Sequence, residues 1–155
     1  MKKLSRQEAE LIKKKIDVLF LSGDLHELNE INSILGLELI SEKLNINNPE
    51  DSEKIEQAVR NMLTSFGEGI KDFDKEEILD FTTNLDNSYI KDFLQNMSDD
   101  IKLSVLPKFG EFDELYIIDV INSMQSDEKK LEALSLTKND LVIPYVAKTI
   151  HSDEN

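Results

Sequence analysis

The chain of 155 residues has no cysteine and no tryptophan, only three prolines and five glycines, and no apolar run approaching the roughly eighteen residues a membrane crossing needs. Each absence excludes something. Without cysteine there is no disulfide, no thiolate metal site and no cysteine nucleophile, and the lack fits a reducing compartment. So few glycines and prolines leave too little turn chemistry for a many-stranded sandwich or barrel. No transmembrane segment is expected. Cations are scarce as well. Eighteen Lys and Arg face thirty-two Asp and Glu, a net charge of -14, which argues against direct nucleic-acid binding, because that requires cations to neutralise phosphates. What remains is a chain 39% hydrophobic and 32% charged, a balance that folds, at a length that makes one domain with a real core.

The charge is uneven. Residues 1–20 hold Lys2, Lys3, Arg6, Lys13, Lys14 and Lys15 against Glu8, Glu10 and Asp17, a balance of +3 that leaves -17 for the remainder. Asp17 interrupts the apolar stretch from Ile16 to Leu21, so this is no classical signal peptide. The expected location is the cytoplasm or another reducing compartment, with secretion by a route lacking such a signal as the alternative. Arg6 and Arg60 are the only arginines, and Ile, Asn and Lys abound. That usage follows from AT-rich coding and suggests a host-associated bacterium or a protist.

Helix signals dominate. Ser5-Arg6-Gln7-Glu8 reads as a capping box, with Leu4 and Ala9 as its hydrophobic staple. Ala9, Ile12, Ile16 and Leu19 follow at helical spacing until Gly23. Asp24 and Glu27 form a second box, and Leu25, Leu28, Ile31 and Leu35 continue that helix to Gly36. A short helix is expected over residues 37–44. Asn48-Pro49 opens the next, with Ile55, Val59, Met62 and Phe66 inward and Gly67 as its end. Asp74 opens another, with Ile78 and Phe81 inward. The spacing predicts nine to eleven helices and no sheet.

The last third repeats itself. Tyr89-Ile90-Lys91-Asp92-Phe93-Leu94-Gln95-Asn96-Met97 lies over Tyr116-Ile117-Ile118-Asp119-Val120-Ile121-Asn122-Ser123-Met124, with Tyr, Ile, Asp and Met coincident. Ser98-Asp99-Asp100-Ile101-Lys102-Leu103 then matches Ser126-Asp127-Glu128-Lys129-Lys130-Leu131. A third copy begins at Val142-Ile143 and reaches Ser152-Asp153. Each copy reads as a helix, a Ser-Asp junction that caps, and a second helix. Ile90, Leu94, Met97, Leu103, Leu106, Ile117, Ile121, Met124, Leu131 and Leu134 are the expected core.

Paired helices with Asp-x-x-x-Leu-x-Ala-Leu in the second, as in Asp127, Leu131, Ala133 and Leu134, resemble short, degenerate HEAT-type repeats. The resemblance covers about residues 86–155 well and 50–85 faintly. It departs from the pattern at Glu132, where a basic residue is usual, and at Pro107 and Pro144, which shorten or kink their helices. It implies an all-α, α-solenoid-like fold: a right-handed array of antiparallel helix pairs. Residues 1–48 would be an N-terminal helical cap and residues 49–155 the repeats, clearest over 86–155, together one continuous domain. Because the third copy stops where a second helix is due, the chain reads as the N-terminal part of a longer protein.

Sites for chemistry are few. His26 and His151 are the only histidines, each on a polar helix surface and better read as solvated than as a general base. Gly67-Glu68-Gly69 carries a glutamate that would repel phosphate. Asp72, Asp74, Glu76 and Glu77 resemble the start of a calcium loop, but the sixth-position glycine is missing and Thr83 stands where a bidentate glutamate is needed. We expect no enzyme, no catalytic residue, no metal and no cofactor. Lys13, Lys14 and Lys15 spread over too wide an arc, diluted by acids, for a membrane-surface contact. A protein partner is expected, with Tyr89, Tyr116, Asp99, Asp100, Asp127 and Glu128 as candidate contacts. The expected function is a non-catalytic helical-repeat interaction scaffold, for instance part of a secreted effector or parasite protein. The alternative is a small acidic inhibitor (an immunity protein, anti-CRISPR or nucleic-acid mimic) that fills a basic cleft.

Overall fold

The structure, a computed structural model, describes residues 3–110 and 113–136. Those residues form eight α-helices and two 3-10 turns, and no strand occurs among them. The fold is all-α. The chain divides into two compact units, Met1–Asp72 and Phe73–Asn155.

In the first unit, α1 (Arg6–Ser22) begins at the expected box. Ser5 Oγ accepts from the Glu8 amide at 3.1 Å while Glu8 Oε1 accepts from the Ser5 amide at 3.0 Å. Leu4, Ala9, Ile12, Ile16 and Leu19 are buried. Gly23, at φ 68°, turns the chain into α2 (Leu25–Leu35), which closes on Gly36 at φ 76°. Both need the left-handed region that glycine enters without strain. The second box is only half made: Asp24 caps the His26 amide at 2.9 Å, and no bond returns from Glu27. The two helices pack together, and Lys15 spans them, 3.1 Å from Glu30 and 3.8 Å from Glu27. The lysine triplet is therefore not a uniform solvated face.

Residues 37–44 are not helical. Asn29 on α2 takes their backbone instead: its amide donates to the Ile40 carbonyl at 2.9 Å and its oxygen accepts from the Ile40 amide at 2.8 Å. Asn32 donates to the Glu38 carbonyl at 3.3 Å. Side-chain amides thus supply bonds a helix would have made internally. Asn48 then caps α3 (Pro49–Gly69), with proline in its first turn. Val59, Met62 and Phe66 are buried as expected, Ile55 only partly. The helix does not stop at Gly67 but at Gly69, whose carbonyl accepts from the Leu4 amide at 2.9 Å. α3 packs on α2, and the first compact unit ends after it, at Asp72.

The second unit holds α4 (Lys75–Thr82), a 3-10 turn (Asn87–Tyr89), α5 (Ile90–Leu94), α6 (Asp99–Val105), a 3-10 turn through Pro107 (Leu106–Lys108), α7 (Glu114–Asn122) and α8 (Asp127–Leu136). α4 packs on α6 and α6 on α8; α5 packs on α7, and α7 on α8. Eight of the ten expected core residues of the repeat are buried. The exceptions lie on α8, where Leu131 is 51% exposed and Leu134 half-buried. Lys130 and Ala133, three positions apart, face inward instead. One residue is a rotation of about 100° on a helix, so Leu131 is carried off the buried stripe. The third copy, with Tyr145 and Pro144, and His151 lie outside the described residues.

Candidate functional site

Four of the six candidate contacts, Asp99, Asp100, Asp127 and Glu128, lie in the first turns of α6 and α8. Ser98 caps α6, its hydroxyl accepting from the Ile101 amide at 3.4 Å. That cap starts the helix so that Asp99, Asp100 and Lys102 fall on its first turns. Asp99 faces the α7–α8 turn. Its Oδ1 accepts from the Gln125 amide at 3.0 Å and its Oδ2 from the Ser126 amide at 3.0 Å. Asp100 points outward, its side chain 72% exposed, and pairs with Lys129 at 3.0 Å. Ser126 repeats the role of Ser98, accepting from the Lys129 amide at 3.3 Å. Asp127 sits half-buried and Glu128 exposed in the first turn of α8.

The same spacing recurs on the other row. Asn87 donates to Asp113 Oδ2 at 2.9 Å, an oxygen that also accepts from the Gly110 amide at 2.7 Å. Lys91 of α5 lies 3.9 Å from Asp119 of α7. Tyr89 and Tyr116 are both half-buried, one in the 3-10 turn before α5 and one in α7. Beside Tyr116, Leu115 is 71% exposed.

Sequence reasoning missed Lys102. It is fully buried, and its Nζ donates to the Ser123 carbonyl, at the end of α7, at 2.8 Å. Burial pushes its ammonium below the ordinary lysine value, with Asp99 pulling the other way. Lys129 moves upward, because the hydrogen bond and charge of Asp100 favour its charged form. A signal for the buried lysine was present: Lys102 and Lys130 coincide when the two copies are laid together, four places after each Ser-Asp serine. An expectation of leucine as the core residue hid it.

The carboxylates at the start of α6 are engaged within the chain. Asp99 spends its lone pairs on amides, and Asp100 on an ammonium. His26 lies in the other unit, 3.4 Å from Glu30 through Nε2 and 3.4 Å from Glu42 through Nδ1, so the two carboxylates sit at different edges of the ring. Among the described residues no cluster of three or more His, Cys, Asp or Glu is disposed to hold a metal. Asp74 is the N-cap of α4, and its amide donates to Glu77 at 3.3 Å. No described helix is long and apolar enough to cross a membrane. No protein-family model matches the chain, and no curated protein and no solved structure matches it either.

Proposed function

We propose that this chain is a non-catalytic helical-repeat scaffold that binds another protein through the outward surface of its C-terminal copies. One observation carries the reading: side-chain bonds join residues 26 to 29 positions apart, from Asn87 to Asp113, Lys91 to Asp119, Asp99 to Gln125 and Ser126, and Asp100 to Lys129. Bonds at a repeat's own spacing are what stacked copies of one supersecondary element make. The successive packing of α4, α6 and α8, with α5 on α7, supports HEAT-like pairs in a right-handed solenoid. Such an array offers an outward surface, on which Leu115 and Glu128 are exposed, Asp100 points outward and Tyr116 is half-buried.

Asp99 argues for a scaffold over an acidic inhibitor, since an inhibitor's carboxylates must be free to meet a basic cleft. The test compares co-purification by the tagged, folded chain with that by Tyr116→Ala/Leu115→Ala and by Asp100→Asn/Glu128→Gln, each at low and high salt. A scaffold loses its partner with the first pair and is little affected by salt. Partner loss with the second pair and with salt alone, through screening of exposed charges, would establish the inhibitor instead. Retention by both double variants would overturn the proposed surface.

A further inference from the structure

We infer that Asp99 and Lys102 form a two-charge clasp that fixes the register of the α7–α8 junction on α6, and that Ser-Asp-x-x-Lys is the stacking code of this chain. The turn between α7 and α8 leaves backbone groups of both polarities to be satisfied. α6 answers each with the matching charge. The Asp99 carboxylate holds the Gln125 and Ser126 amides, and the Lys102 ammonium holds the Ser123 carbonyl at the negative end of α7. The two side chains are three positions apart and so share one face of their helix. Together they bracket four consecutive residues of the next copy.

The choice of a fully buried lysine reveals what the clasp is for. Burying an ammonium costs solvation that a methionine would not lose, so net stability is a poor reason to keep it. Register is a better one. Apolar side chains pack acceptably against many neighbours, whereas a slip of one turn would strand both charges without partners. The motif recurs one copy later as Ser126-Asp127-Glu128-Lys129-Lys130, and Lys130 is buried there too, at 8% exposure. In α6 Leu103 is buried beside Lys102, whereas in α8 Lys130 is buried and Leu131 is exposed, so the lysine is the position both helices keep inward. In α4, the first helix of the row, the fourth residue after the cap is Ile78, also fully buried; the code begins at α6.

Amide exchange on the full chain, beside its melting temperature, tests the clasp. Asp99→Ala should speed exchange at Gln125 and Ser126 about tenfold or more relative to α4 amides. Asp99→Asn keeps one acceptor oxygen and should expose only one of the two amides. Lys102→Met should accelerate the same amides while leaving the melting temperature level or raised. It should also remove an alkaline gain. With a lowered lysine pKa, the wild type is stabilised relative to Lys102→Met as pH climbs toward 10.5. Exchange that rises uniformly through the unit in step with a lower melting temperature would make these residues ordinary packing and overturn the clasp. Unchanged exchange at Gln125 and Ser126 in Asp99→Ala would do the same.

Discussion

The two compact units reach an all-α fold by different means. In Met1–Asp72 the helices run 17, 11 and 21 residues, and each begins at a side-chain cap, Ser5, Asp24 or Asn48. In Phe73–Asn155 the described helices run 8, 5, 7, 9 and 10 residues. Isolated helices of that length do not hold in water. Their definition comes from neighbours, through side-chain bonds such as those of Asp99 to the α7–α8 turn, Asp100 to Lys129 and Lys91 to Asp119. Charge follows the same division. The first unit has ten basic and fourteen acidic residues, the second eight and eighteen. Part of the acid excess caps short helices and grips backbone amides, as Asp86, Asp99 and Asp113 do. A high negative charge therefore need not advertise a basic partner.

The largest effect expected is in the core of each unit. Phe66 on α3 and Phe93 on α5 are buried to 1% and 0%. Phe→Ala at either site should cost about 3–5 kcal/mol by chemical denaturation. A cost well under 2 kcal/mol at Phe93 alone would mean the short-helix unit relaxes around a cavity that the long-helix unit cannot. Caps sharpen the contrast at a lower level. Ser5→Ala and Ser98→Ala should each cost about 0.5–2 kcal/mol. Their reach should differ. Amide exchange should show fraying of only the first turn of α1, but opening of all of α6. Equal, local fraying in both would break the comparison.

Much of this was legible in the sequence, and what failed did so for identifiable reasons. The Ser5–Glu8 box, Gly23, Gly36 and the Pro49 start all act within a few residues, so local chemistry decides them. Residues 37–44 were not legible because the side chains of Asn29 and Asn32, on the preceding helix, capture the backbone at Ile40 and Glu38. The extension of α3 past Gly67 likewise depends on a remote partner, the Leu4 amide at Gly69. On α8 the apolar pattern pointed to Leu131, while the buried positions are Lys130 and Ala133. At the candidate site the sequence found Asp99 and Asp127 by their capping position. It did not foresee that Asp99 accepts from the Gln125 and Ser126 amides, in the α7–α8 turn, rather than from its own helix.

A smaller effect is expected at acid pH. Asp86 accepts from the Ser88 amide at 2.9 Å and from its hydroxyl at 2.8 Å. The amide bond first, then the hydroxyl, holds its carboxyl below the usual 3.8. Because the folded-state value is the lower one, its contribution is whole above the unfolded pKa and is lost as pH falls through the folded one. The stability difference between wild type and Asp86→Asn should thus shrink below about pH 4. A constant difference down to pH 2 would place that bond's strength elsewhere than in the charge.

The smallest effect is expected at a leucine. Leu131 is 51% exposed while Ala133, two residues on, is fully buried, so truncating the larger side chain removes little covered surface. Leu131→Ala should change stability by no more than about 0.5 kcal/mol, the range of ordinary surface substitutions. Ala133→Leu at the neighbouring buried position should cost about 1–3 kcal/mol through overpacking. The pair reads out the rotation of α8 directly. Were Leu131→Ala to cost the 2–5 kcal/mol of a core leucine, Leu131 rather than Lys130 would face inward. The buried lysine of the second copy would then have no place in the code that Lys102 begins.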